Sequence, residues 1–128
     1  MKFISRKTHA VLDYLMGIVL IAAPWILGFA GNEAAKWSAV AIGVLMLLTS
    51  VMTNYEGGLV KMFPMGMHLT MDIIAGLFLA ISPWLLGFSN EIFLPHLILG
   101  ILEIGAALCT QATSQHSTAA SAGNAVRY

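Results

Sequence analysis

Two histidine–aspartate pairs are the most chemical feature of this sequence: His9 with Asp13, and His68 with Asp72. Residues four apart are neighbours on one helix face, so each imidazole can meet its carboxylate within a turn. Two such pairs brought to a common axis make a ligand set for a transition metal or a relay for protons. The plainer role is structural, each aspartate orienting and partly neutralising its histidine, and that is the role expected here, with no bound metal and no cofactor. A third acid, Glu103, stands alone in an apolar stretch. A carboxylate at that depth must be protonated or partnered. A neutral or hydrogen-bonded acid between helices is the expectation, and a proton-coupled exporter or ion-conducting oligomer using Glu103 and the pairs is the alternative. Met62, Met65, Met67 and Met71 surround His68 in sequence; thioethers can hold copper(I), but methionine more often fills irregular gaps. The sequence shows no phosphate loop, nucleophile elbow or His-Glu-x-x-His helix, so no catalytic residue is assigned and an enzyme is not expected.

The elements that must position these residues follow from composition. Of 128 residues, 59% are hydrophobic and 9% charged, six basic against six acidic, and the mean hydropathy is +0.85. A soluble domain carries about a quarter charged residues. The balance excludes a water-soluble globule, a disordered chain and a nucleic-acid binder with a basic face; the expected partner is the lipid bilayer. The single Cys109 excludes an internal disulfide. A helix needs about 20 residues to cross a hydrocarbon core, and four apolar segments present themselves at about 9–29, 34–53, 67–88 and 95–109.

Basic residues are retained on the cytoplasmic face. Lys2, Arg6, Lys7, Lys61 and Arg127 would all lie there and only Lys36 opposite, which puts both termini in the cytoplasm. The expected organisation is an N-terminus at 1–8, a first hairpin at 9–53, a cytoplasmic linker at 54–66, a second hairpin at 67–109, and a disordered tail at 110–128. A cleavable signal in the first 30 residues is disfavoured, because Asp13 and Gly17 interrupt the apolar run and a near copy recurs in mid-chain.

That copy is explicit. Sliding the chain by 59 residues aligns 9–29 with 68–88 without a gap, and nine of 21 positions are identical. They include His9/His68, Asp13/Asp72, Gly17/Gly76, Pro24/Pro83, Trp25/Trp84, Gly28/Gly87 and Phe29/Phe88. After a two-residue length change the second helices also align, Gly43 on Gly100, with Met46 opposite Glu103. The chain reads as two tandem hairpins related by a pseudo-twofold axis along the membrane normal, as in other parallel membrane repeats. The shared residues fall on one stripe of the helix, expected to face the bundle centre, with Trp25, Trp84, Phe29 and Phe88 rotated toward the outer boundary. His96, Gly100, Glu103 and Ala107 define the interior face of the fourth helix. Pro24 and Pro83 free the carbonyls of Leu20 and Leu79, and Ser82 can re-satisfy its helix where Ala23 cannot.

Ala-Pro-Trp at 23–25 and Ser-Pro-Trp at 82–84, each followed by an apolar residue and Leu-Gly-Phe, resemble the SPW repeat membrane proteins, whose unit is a helical hairpin with that tripeptide in its first helix. The resemblance covers nearly all of 9–109, and Ala23 departs from it. It implies a small bacterial protein of the cell membrane, without an assigned activity and without catalytic residues to carry over. The fold expected is all-α, a polytopic four-helix membrane bundle. The expected function is a structural or partner-binding module that self-associates, its glycine faces approaching one another across subunits.

Overall fold

A computed structural model of the chain describes residues 2–112, and residues 113–128, most of the expected tail, lie outside the described residues. Four helices follow one another: α1 (Arg6–Ile26), α2 (Glu33–Val51), α3 (Met65–Leu85) and α4 (Leu94–Leu108). The first three are long and apolar enough to cross a membrane. At about 1.5 Å per residue, the 15 residues of α4 span roughly 22 Å, short of a full hydrocarbon core of about 30 Å. The molecule is a small helical membrane protein, with three long apolar helices and one shorter one.

Local chemistry sets the helix limits. Ser5 opens α1 by accepting the Thr8 amide at 3.1 Å, and Asn32 opens α2 by accepting the Ala35 amide at 3.0 Å, side-chain caps for amides that have no helical partner. Proline starts the other two: Pro64 precedes α3 and Pro95 occupies the first turn of α4, where its missing N–H costs nothing.

The proline-tryptophan motif is a stop signal. The helices do not run on to Phe29 and Phe88 as the apolar pattern suggests; α1 ends at Ile26 and α3 at Leu85, two residues past each proline. Gly28 and Gly87 then both take φ of 78°, a left-handed conformation glycine adopts without penalty. This reversal lets the amides of Phe29 and Phe88 return to the carbonyls of Pro24 and Pro83, each at 2.8 Å, as in a Schellman cap. The carbonyl that Pro83 frees is met by Ser82, whose hydroxyl donates to the Leu79 oxygen at 2.7 Å. Trp25 and Trp84 stay exposed near the bundle end, as expected, but Phe29 and Phe88 do not: both are buried, 5% and 3% exposed. The cap turns the chain back over the bundle and carries the phenyl rings inward.

Packing is tightest within each hairpin, α1 on α2 and α3 on α4; the hairpins meet mainly along α2 and α3, and less along α1 and α4. Glycine permits the close crossings. A methyl at Gly43 would lie 2.8 Å from the Gly17 carbonyl oxygen, and one at Gly100 would lie 2.5 Å from that of Gly76. These four glycines therefore join helices inside a hairpin, which corrects the expectation that they serve contacts across subunits. At the end holding the termini, the segment before each odd helix clips onto the chain leaving an even one. Ile4 donates to Cys109 and accepts from Gln111, while Phe63 donates to Met52 and accepts from Asn54.

Gly100→Ala should therefore lower stability by about 1–3 kcal/mol, the usual cost of overpacking, because its methyl meets only backbone and a short side chain of α3. Gly105→Ala, with open space around it, should cost nothing in the same thermal unfolding experiment in detergent. Ser82→Ala should cost about 1 kcal/mol by stranding the Leu79 carbonyl.

Candidate functional site

The two duplicated pairs converge into one cluster at the end of the bundle that carries Arg6 and Lys61. His9 and Asp13 come from the first turns of α1, His68 and Asp72 from the first turns of α3, and all four are at most 2% exposed. Each imidazole reaches both carboxylates. His9 Nε2 lies 3.0 Å from Asp13 Oδ1 and 3.0 Å from Asp72 Oδ2. His68 Nε2 lies 2.8 Å from Asp13 Oδ2 and 3.1 Å from Asp72 Oδ2. The pairing within each helix is joined by an equally close pairing across the hairpins, and the two rings meet edge to face at 5.6 Å.

The outer nitrogen of each ring fixes its proton. His9 Nδ1 lies 2.8 Å from the Thr110 hydroxyl, and His68 Nδ1 lies 2.8 Å from the Thr53 hydroxyl. Each threonine has only one proton and gives it to the carbonyl a turn earlier, Thr53 to Thr49 at 2.5 Å and Thr110 to Ala106 at 2.6 Å. The hydroxyl can then only accept, so Nδ1–H donates on both rings. Nε2 is thereby aimed at the carboxylates. With Nδ1–H on both rings, two further protons shared among the rings and carboxyl groups would bring the cluster to zero charge, the arrangement that costs least in lipid.

The carboxylates differ in their remaining partners. Asp13 Oδ2 also accepts from the Ser50 hydroxyl at 3.2 Å and from the Tyr55 hydroxyl at 3.4 Å. Burial pushes the Tyr55 phenol above its ordinary pKa, so it remains a donor. The positions corresponding to Ser50 and Tyr55 in the second hairpin are Ala107 and Ala112, which carry no hydroxyl. Tyr55 belongs to the linker, which the structure holds over the cluster. Its ring packs 5.3 Å from His68, Tyr14 donates to the Gly57 carbonyl at 2.7 Å, and Arg6 bonds the Asn54 carbonyl and pairs with Glu56.

Other sequence-derived residues fall elsewhere. Gly17 and Gly76 are the crossing points, and Pro24, Ser82, Pro83, Gly28 and Gly87 build the caps. Trp25 and Trp84 face outward, 61% and 54% exposed. Phe29 and Phe88 close on His96, with ring centroids 5.2 and 4.8 Å away. His96 Nε2 lies 2.9 Å from the Ala35 carbonyl oxygen, which needs a proton on that nitrogen. His96, Gly100, Glu103 and Ala107 are the buried residues of α4, matching the interior face read from their spacing. Glu103 Oε1 is buried and has no hydrogen-bond partner among the described residues, which leaves the neutral form of the two expected for this acid. It lies in the wall of an apolar groove of about 600 Å³ between α1 and α4, as that groove's only acidic or basic side chain.

Thr53 and Thr110 escaped the sequence reading, as did Ser50 and Tyr55. Their signal was present: Gly43 and Gly100 are 57 residues apart, and extending that offset to the ends of the second helices superimposes Thr53 on Thr110. Thr110 had been assigned to the disordered tail, yet it is fully buried against His9; the folded chain continues at least to 112.

The family model of the SPW repeat domain matches residues 7–110. No curated protein and no solved structure matches the chain.

Thr53→Val and Thr110→Val keep side-chain shape but strand a buried N–H, so each should cost about 1–3 kcal/mol in thermal unfolding in detergent. Two similar losses are expected because the two threonines do the same work; a silent Thr53→Val would contradict the assigned ring protons.

Proposed function

We propose that this chain, which belongs to the SPW repeat domain family, is a structural or partner-binding module of the membrane and not an enzyme. One observation carries the reading: the four groups best able to do chemistry are spent on one another, buried, and placed between the two hairpins. They form a clasp. Helices in lipid gain little from apolar contact with one another, because acyl chains are equally apolar, and polar contacts between helices then decide which helices associate. The clasp performs that task for α1 and α3, which the glycine crossings do not join.

The same premise extends to topology. The hairpins are read as an internal duplication inserted in parallel into a bacterial inner membrane. Arg6, Lys7 and Lys61 stand at the clasp end and Lys36 at the other, so positive-inside retention supports a cytoplasmic clasp and cytoplasmic termini. With the glycines used inside each hairpin, self-association or docking of a membrane partner falls to the apolar outer faces, one of which bears the groove between α1 and α4. The unpartnered Glu103 oxygen favours one second reading, a proton-coupled transporter or ion-conducting oligomer.

Asp13→Ala removes one member of a buried charge cluster and should destabilise the protein by about 3–5 kcal/mol, measured by unfolding in detergent with a chelator present. Native mass measurement in a membrane mimic should give a dimer or larger assembly, and a strict monomer contradicts the self-associating form. Proton-driven flux in proteoliposomes that disappears in Glu103→Gln would select the transport reading instead.

A further inference from the structure

We propose that the clasp is also a binding site for one divalent transition-metal ion, with Zn²⁺ the ion that its donors fit best. The inference rests on the same four residues as the clasp reading and gives them a ligand. His9, Asp13, His68 and Asp72 each offer one donor atom, and these atoms all lie within 4.8 Å of one another in a fully buried setting. Two imidazole nitrogens and two carboxylate oxygens form a borderline donor set suited to Zn²⁺, which prefers four ligands in a tetrahedron.

The distances are close to what an ion requires. With bonds of about 2.0–2.1 Å, a tetrahedral ion holds its ligand atoms about 3.3 Å apart. The four histidine–aspartate contacts are 2.8–3.1 Å, His9 meeting Asp13 Oδ1 and His68 meeting Asp13 Oδ2; an ion would take one Asp13 oxygen, so three of these separations open by a few tenths of an ångström and the others, all within 4.8 Å, adjust around it. The supporting contacts are those a metal site needs. Thr53 and Thr110 accept Nδ1–H and leave both Nε2 lone pairs pointing into the cluster. Ser50 and Tyr55 orient the Asp13 carboxylate. Partners of this kind fix tautomer and ring direction and raise ligand basicity.

Charge balances without any outside group. The metal-free cluster holds two protons beyond the two Nδ1–H, and its net charge is zero. When the ion enters, both protons leave, two neutral imidazoles and two carboxylates surround a 2+ charge, and the sum is again zero. The exchange places no uncompensated charge in the interior. All four positions are filled by the protein, the arrangement of structural rather than catalytic zinc, so the bound ion would tie α1 to α3 at the cytoplasmic end. Glu103, partnerless in its lateral groove, is not needed as a ligand.

The test uses the full chain with a tag that contains no histidine, stripped with a chelator in detergent and titrated with Zn²⁺ and Co²⁺. Expected results are uptake of one ion per chain, the intense visible bands of four-coordinate Co²⁺, their loss when Zn²⁺ is added, and a raised Tm with Zn²⁺. The double variant Asp13→Asn with Asp72→Asn should lose the bands and the Tm shift, and Glu103→Gln should keep both. Substoichiometric uptake or octahedral Co²⁺ spectra in the unsubstituted protein overturn the proposal, whether or not the double variant folds. Loss of binding in Glu103→Gln overturns the four-ligand assignment. The clasp itself is judged separately, by the destabilisation of Asp13→Ala measured with chelator present, which no metal result alters.

Discussion

A polar cluster inside a lipid-facing bundle persists only if its charges cancel and its protons are all assigned, and that constraint organises the half of this molecule that carries Arg6 and Lys61. His9 and His68 each bridge Asp13 and Asp72 at 2.8–3.1 Å, so no imidazole belongs to one carboxylate alone. The arrangement requires the first turns of α1 and α3 to face one another across the bundle at the same depth. It also requires the chain after α2 and α4 to return a threonine to each ring, which fixes where those helices end. The short backbone clips at Ile4 and Phe63 bring the threonines there.

The other end of the bundle is governed by the proline-tryptophan motif. Proline removes an amide, Ser82 covers the resulting free carbonyl in the second hairpin, and glycine reverses the chain so that a phenylalanine folds back. Phe29 and Phe88 converge on His96, whose counterpart in the first hairpin is Ala39. Two equivalent caps thus close over a residue that occurs once.

The two halves differ in what surrounds their buried acids. Ser50 and Tyr55 support Asp13, and among the described residues no hydroxyl does the same for Asp72. Glu103 stands where the first hairpin has Met46 and opens onto a groove lined by apolar side chains. Two similar hairpins supply a buried clasp, and residues present in only one of them give the two carboxylates unequal surroundings.

Much of this was legible in the residues. Composition alone places the chain in lipid, and the 59-residue offset gives the hairpins and the stripe containing His9, Asp13, His68 and Asp72. The spacing of four, three and four residues along His96, Gly100, Glu103 and Ala107 gives the buried face of α4. Periodicity reports which residues share a face but not which face meets which, so the sequence shows pairs where the fold makes a four-way cluster. Only the tertiary structure brings Thr53 and Thr110 onto the rings, because those contacts join positions 15 and 101 residues apart. Helix ends were misread for a related reason: an apolar pattern continues through Leu27, Gly28 and Phe29, whereas a left-handed glycine ends the helix and turns the phenylalanine inward. The glycines illustrate the same division, since a small residue announces close approach and only the assembled fold determines the helix that approaches.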